Sequence, residues 1–250
     1  MGLVKKFFCI ACLCPIIGYS DPAAQMAQRQ VVDIHVIKQN GRSQSGAGTA
    51  FLRKTKDNKD IAFILTCVHV LIHNNITGER TFPKSLKVST PKGTTTVDNI
   101  LVNNMGLKIG FDVAILITTN NLEIFESASM VELDDPPPVG EKIYVAGNPS
   151  GLGSIVVEGI IAKRNCWLPA HQQFYDILSA RVAAGFSGGG VYRRSDGKYL
   201  GLISMKHAEA GYGIMIPASQ IITFLESTKQ RYIVDPTKEA PTLKEILFPK

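Results

Sequence analysis

No run in this sequence reaches the ~18 apolar residues of a membrane-spanning helix. Charge is also sparse. Only 19% of the 250 residues are Asp, Glu, Lys or Arg, against 45% hydrophobic, which excludes a coiled coil and a disordered chain. Basic residues never cluster with aromatics. The densest group, Arg53, Lys54, Lys56 and Lys59, is interrupted by Asp57, Asn58 and Asp60. The net charge of +6 is therefore diluted over the chain, and no nucleic-acid partner is expected. Cysteine and histidine lack zinc-site spacing. His69 and His73 lie four apart but enclose no Glu, which excludes the metalloprotease helix. No metal or organic cofactor is expected.

The first twenty residues read as an address. Lys5 and Lys6 precede the apolar stretch Phe7 to Ile17, and the small residues Gly18 and Ser20 follow, as in a secretory signal peptide cleaved after Ser20. A lipoprotein acylated on Cys12 is the lesser alternative, because Cys9 stands three residues before it where Leu is usual. Export to the periplasm or the medium is the expectation, with no stable membrane span after cleavage. Removing Lys5 and Lys6 leaves a charge of +4, and Cys9, Cys12 and Cys14 leave with them. Cys67 and Cys166 remain, either as a pair or as buried thiols.

The rest reads as short strands divided by turns. Apolar or alternating runs occur at Val31–Ile37, Thr49–Leu52, Ala62–Leu65, Leu86–Val88, Val113–Ile117, Ile143–Ala146, Ile155–Ile161, Ile177–Ala180 and Leu200–Met205. Turn signals such as Asn40-Gly41, Asp57-Asn58, Asn103-Asn104, Asn148-Pro149 and Asp196-Gly197 separate them. The pattern predicts an all-β sandwich or barrel set. Asp134-Asp135-Pro136-Pro137-Pro138 is the strongest break, dividing two β-rich halves at 29–133 and 139–228. One helix is predicted, with Pro217 in its first turn, an apolar face of Ile221, Ile222, Phe224 and Leu225, and Lys229 and Arg231 at its end. Residues 229–250 read as an extended tail, either docked on a surface or mobile.

Three sites carry chemistry. Ala184-Gly185-Phe186-Ser187-Gly188-Gly189-Gly190 puts a hydroxyl among glycines, in a turn able to leave N–H groups unpaired for an oxyanion. Phe63 to Val70 ends a strand with His69, and Phe111-Asp112-Val113-Ala114 opens another with an acid. Alone, each has a plainer reading: a flexible loop, a structural histidine, a strand-edge carboxylate. Together they fall in the order His, Asp, Ser. Residues 185–189 also fit the G-x-S-x-G elbow of α/β-hydrolases, but that fold needs an acid and then a His after the Ser, and strands alternating with helices before it.

Thr66-Cys67-Val68-His69, Phe111-Asp112-Val113-Ala114 and Gly185-Phe186-Ser187-Gly188-Gly189 resemble the His, Asp and Ser segments of chymotrypsin-like serine proteases. Gly48-Thr49-Ala50-Phe51, Val139-Gly140 through Gly147-Asn148-Pro149-Ser150-Gly151-Leu152, and Gly213-Ile214-Met215-Ile216-Pro217 resemble the HtrA-like branch, here without the usual C-terminal peptide-binding domain. The resemblance spans Val31 to Leu225. It implies a chymotrypsin-like double β-barrel of two six-stranded barrels with a C-terminal helix, acting on protein or peptide substrates. Ser187 would be the nucleophile, His69 the general base and Asp112 its orienting acid, with the N–H groups of Gly185 and Ser187 forming the oxyanion hole. HtrA-like relatives often form trimers, but no trimer-forming segment is identifiable.

Two departures stand out. Phe186 occupies the position where most relatives have Asp or Asn, so activation by a new N-terminal amine pairing there is excluded. Gly190 stands where Pro is usual, and three consecutive glycines make the loop costly to order, which predicts an oxyanion hole only partly formed without substrate. Arg181 falls where the family places the floor of its specificity pocket, with Ser204 to Lys206 along one wall. That arrangement would favour an acidic residue before the cut, unless Arg181 points outward from its strand. A proteolytically silent binding protein of the same fold is the alternative function.

Overall fold

The alternation in Val31-Val32-Asp33-Ile34-His35-Val36-Ile37 builds a strand with Val32, Ile34 and Val36 buried and His35 and Ile37 exposed. In this computed structural model residues 21–74, 80–102, 111–130, 134–207 and 211–248 are described; the leader and the turn at Asn103-Asn104 lie outside them. The first half contributes β1 (Val31–Ile37), β2 (Ser43–Lys54), β3 (Asp60–Thr66), β4 (His73–Asn74), β5 (Arg80–Thr81), β6 (Ser85–Thr90), β7 (Gly93–Thr96), β8 (Asn99–Val102) and β9 (Ala114–Thr118). Apart from the small β4–β5 ladder they form one antiparallel sheet in the order β7-β6-β1-β2-β3-β9-β8. Only Val97 and Asp98 separate the two edge strands in the chain, so the sheet curls and brings its edges near each other without pairing them. Thr118 Oγ donating to the Thr96 carbonyl (3.0 Å) and Asp98 N–H to the Ile117 carbonyl (2.8 Å) fasten that seam. Among the described residues this half is therefore a seven-stranded half-barrel, not the closed six-stranded barrel the resemblance implies.

The second half closes fully. Strands β10 (Lys142–Gly147), β11 (Ile155–Leu168), β12 (Gln173–Arg181), β13 (Gly190–Arg193), β14 (Tyr199–Lys206) and β15 (Tyr212–Pro217) form a barrel in the order β10-β11-β12-β15-β14-β13. Period-two alternation gives it two apolar faces. Ile143, Val145, Leu178, Val191 and Met215 fill the interior, while Tyr144, Ala146, Tyr192, Tyr199 and Leu202 join the core of the first half. At that junction the Tyr199 ring meets Phe51 edge-on at 5.5 Å and Tyr192 at 5.8 Å, and the Tyr192 hydroxyl lies 3.3 Å from Thr49 Oγ. β11 and β12 run past the barrel as a hairpin capped by half-exposed Trp167 and Phe174, whose rings meet tilted at 57° and 4.9 Å apart. Its solvent-facing side chains lack the apolar run that marks a strand in sequence.

The ends of the chain differ from expectation. A helix, α1 (Pro22–Gln30), precedes β1, with Asp21 Oδ1 accepting from Ala23 N–H (2.9 Å) and Pro22 opening the first turn. It buries Ala23 and Ala27 against β10, β11 and β13 of the second barrel, and the Tyr144 hydroxyl donates to Asp21 at 2.6 Å. Two further helices are α2 (Val68–Leu71) and α3 (Ala218–Ser227). Pro217 is not in the first turn of α3 but extended at its N-cap (φ −70°, ψ 151°), as the last residue of β15. The predicted apolar face of α3 is buried. Lys229 lies beyond the helix end with φ +58°, and Arg231 opens a 3-10 turn and pairs with Glu226 and Asp235, each at 3.5 Å.

The tail is not extended. Arg53 Nε donates to the Tyr232 carbonyl (2.9 Å), and Lys56 N–H to the Ala240 carbonyl (3.0 Å). The short helix α4 (Leu243–Leu247) carries a Thr242–Glu245 capping box. Leu243 N–H reaches Asp57 (3.0 Å), and Asn99 Nδ2 donates to the Leu247 carbonyl (3.0 Å). All of these partners belong to the first half. Cys67 and Cys166 are unpaired: one is buried behind the end of β3, the other sits on the protruding hairpin.

Candidate active site

Pairing of Thr66 with Ala114 sets the end of β3 beside the start of β9. The residue positions just outside those ends, Cys67 to His69 on one strand and Asp112 on the other, are thereby brought together. His69 sits in α2, directly after β3. Its Nδ1 donates to Asp112 Oδ2 at 2.7 Å and its backbone N–H to Asp112 Oδ1 at 3.0 Å. Ser204 on β14 donates its hydroxyl to the same Oδ2, also at 2.7 Å. Burial works against charge on both partners, but their mutual attraction prevails. Burial disfavours the His69 cation, yet the hydrogen bond and charge of Asp112 hold its pKa above the ordinary imidazole value. Burial also raises the Asp112 pKa, and the His69 hydrogen bond and charge, with the Ser204 hydroxyl, more than offset it, leaving the carboxyl below its usual range.

Ser187 approaches from the second barrel. Its hydroxyl donates to the Ser204 carbonyl at 3.2 Å and makes no hydrogen bond to His69 among the described residues. The loop is held by its carbonyls: Asn148 N–H binds that of Gly185 (3.2 Å) and Ala47 N–H that of Ser187 (3.0 Å). With those carbonyls committed elsewhere, the N–H groups of Gly185 and Ser187 find no acceptor among the described residues. Gly185 holds φ +101°, where a Cβ would collide with the Asn148 carbonyl. Gly188 has φ +84°, and a Cβ there would strike the Ala47 carbonyl and Thr66 Oγ. Gly190, where Pro is usual, lies against the Tyr192 ring.

Phe186 supplies the anchor that an ion pair supplies elsewhere. It is 3% exposed and packs into the second barrel's interior, a burial worth roughly 1.5–3 kcal/mol. Gly147 makes room for it, since a Cβ there would meet the Phe186 ring at 2.7 Å.

The residues expected to line a specificity pocket differ in burial. Ser204 is fully buried and turns its hydroxyl onto Asp112 instead of into a pocket. Arg181 and Lys206 are exposed at the ends of β12 and β14, flanking β15 where they pair with Tyr212 and Gly213. Neither forms the buried floor or wall that the family pattern suggested. Sequence reasoning also missed Asn148, which is 1% exposed and accepts from Gly153 N–H (2.9 Å) while its own N–H fixes Gly185. Its traces were the Asn-Pro turn signal and its place in the Gly147–Leu152 segment of the resemblance. Cys67 was missed as a neighbour of the site. Its thiol donates to the Ile203 carbonyl at 3.2 Å, and burial, reinforced by the Asp112 charge, pushes its pKa far up.

No curated protein sequence matches this one significantly. Solved structures share its fold. The Rv3671c protease of M. tuberculosis, in its active form, superposes with a TM-score of 0.64 at 17% identity, over 88% of this chain and 87% of that one. The HtrA-type protease AlgW, solved with a tripeptide, gives 0.61 at 19% identity over 84% of this chain. A serine endoprotease from Yersinia pestis gives 0.60 at 21% over 84%. The match spans 63% of the AlgW chain and 65% of the Yersinia one. The trypsin-like peptidase domain profile matches residues 48–202, which include His69, Asp112 and Ser187. With more than half of its length inside that profile and both barrels in place, the chain belongs to the trypsin-like peptidase family.

Proposed function

We propose that this protein is an exported serine endopeptidase that cuts peptide bonds through a His69–Asp112–Ser187 triad and an acyl-enzyme. The observation carrying this reading is the doubly bonded His69–Asp112 pair, with Ser187 tethered to the residue that also bonds Asp112. A turn of the Ser187 side chain away from the Ser204 carbonyl would offer its proton to His69 Nε2. The oxygen then attacks the scissile carbonyl while His69 takes the proton. Asp112 keeps the proton on Nδ1, so Nε2 is the free base, and stabilises the imidazolium that forms. The N–H groups of Gly185 and Ser187 receive the oxyanion. His69 next protonates the leaving amine, and water attacks the acyl-enzyme by the same route in reverse. Export rests on the cationic and apolar pattern of residues 1–20.

Labelling with a fluorophosphonate tests the nucleophile. A covalent adduct is expected on Ser187, absent from Ser187→Ala and His69→Ala. A folded parent protein that takes no label would overturn the peptidase reading in favour of a silent binding protein.

The pH dependence has a definite sign. His69 must be neutral to act as base, and Asp112 raises its pKa, so kcat/KM should climb with pH through a midpoint above 6.5, the ordinary imidazole value. A pH–rate profile with its acidic limb centred below 6.5 would contradict this.

A further inference from the structure

Cys67 has no part in that mechanism, yet it shares the floor of the site. Its Sγ, a ring nitrogen of His69 and a carboxylate oxygen of Asp112 all lie within 4.8 Å of one another, the one such cluster of metal-ligating atoms among the described residues. We propose that Cys67, His69 and Asp112 form an inhibitory site for a thiophilic divalent cation of the zinc class, resting on the reading of His69 as the general base.

Geometry is the first argument. Ligands about 2.0–2.3 Å from a tetrahedral zinc stand roughly 3.3–3.8 Å apart. His69 Nδ1 and Asp112 Oδ2, 2.7 Å apart, therefore need to open by roughly an ångström and Cys67 Sγ, within 4.8 Å of both, to close by about as much, within the reach of side-chain rotation. Their backbones are already fixed by the β3–β9 pairing and by the two bonds between His69 and Asp112. Sequence spacing hides the site because its carboxylate follows His69 by 43 residues.

Donor chemistry is the second. Thiolate, imidazole and carboxylate together suit zinc and cobalt, whereas calcium and magnesium prefer all-oxygen shells. Charge then closes on itself. The free thiol is protonated, since it donates to the Ile203 carbonyl. Binding would release that proton, so a dication meets one thiolate and one carboxylate, and the buried complex is neutral. Ion pairs without such balance are expensive in this setting.

The inhibitory step follows from the tautomer. In the free protein His69 Nδ1 carries the proton it gives to Asp112. A cation on Nδ1 displaces that proton to solvent, and a neutral ring then takes one up on Nε2. Only the thiol proton is lost overall. Nε2, now protonated, has no lone pair for the Ser187 proton. Entry is past His69, whose side chain is 49% exposed, because Cys67 itself is fully covered.

Cobalt and zinc chlorides test this on the whole protein. Cobalt should produce the near-ultraviolet thiolate charge-transfer band in the parent and in Ser187→Ala, and no band in Cys67→Ala or Cys67→Ser. Zinc should slow fluorophosphonate labelling of the parent at least about tenfold and leave labelling of the Cys67 variants unchanged. Absence of the cobalt band would overturn the site. So would equal zinc inhibition of the parent and both Cys67 variants. A parent that shows the band but takes no label without zinc would instead sink the peptidase reading, so the two failures are distinguishable.

Discussion

Ser187→Ala is expected to lower kcat about a million-fold, and adding His69→Ala to it should cost almost nothing more. The nucleophile and its base act as one unit: once the hydroxyl is gone, there is no proton for His69 to take. Asp112→Asn should fall between these and the parent, near ten-thousandfold, because an amide that donates to Nδ1 turns the ring so that Nε2 carries the proton. Here the effect gains a second cause. Asp112 Oδ2 also accepts from Ser204, so an amide nitrogen at that position would leave the buried Ser204 hydroxyl without its acceptor. Peptide hydrolysis by Ser187→Ala, His69→Ala, Asp112→Asn and the Ser187→Ala/His69→Ala double variant measures this. Additive losses in the double variant would show that Ser187 and His69 do not work on the same step.

Gly185→Ala carries the second large effect. The new Cβ would occupy the space of the Asn148 carbonyl, at a φ of +101° that L side chains avoid. Relief requires the peptide to turn, and turning it takes the Gly185 N–H away from the oxyanion. One lost donor of this kind costs about 10²–10³ in kcat, with KM nearly constant. Gly140→Ala is the control, with φ +90° but nothing within 4 Å of its Cβ. It pays the backbone strain of about 1–2 kcal/mol in stability and should leave kcat alone. If the two variants lose activity equally, the Gly185 effect is one of folding and not of the oxyanion.

What the sequence disclosed, and what it hid, follows from the range of the forces involved. Strands such as Val31–Ile37 were legible because burial alternates along the chain itself. The three chemistry-bearing residues were legible because each sits at the end of such a strand or in a glycine turn. Ser204 was misread as a pocket wall because its partner, Asp112, lies 92 residues away in the chain, just before β9, and no local pattern reports that contact. Cys67 could be read only as half of a pair or as a buried thiol, because its nearness to Asp112 is likewise absent from any local pattern. The outer half of the β11–β12 hairpin was invisible because polar residues break its hydrophobic period even where it is buried, as Gln173 and Asp176 do beside Tyr175. The helix at Pro22–Gln30 is a different case. Asp21-Pro22 is a good start signal, but Gln25, Gln28, Arg29 and Gln30 dilute its apolar stripe to Ala23 and Ala27, too small a face to stand out.

The two ends of the chain are exchanged between the halves. The first helix belongs by sequence to the half-barrel but rests on the closed barrel, while the last residues belong to the closed barrel but rest on the half-barrel. Each half thus reaches around and clasps the other. A cut in the proline linker at 134–138 would yield two fragments, each still gripping its neighbour with its own arm, and the cleft holding His69 and Ser187 would survive as a two-piece molecule. Continuity of the chain at that linker is thus expected to matter less for holding the halves together than the two crossed arms do.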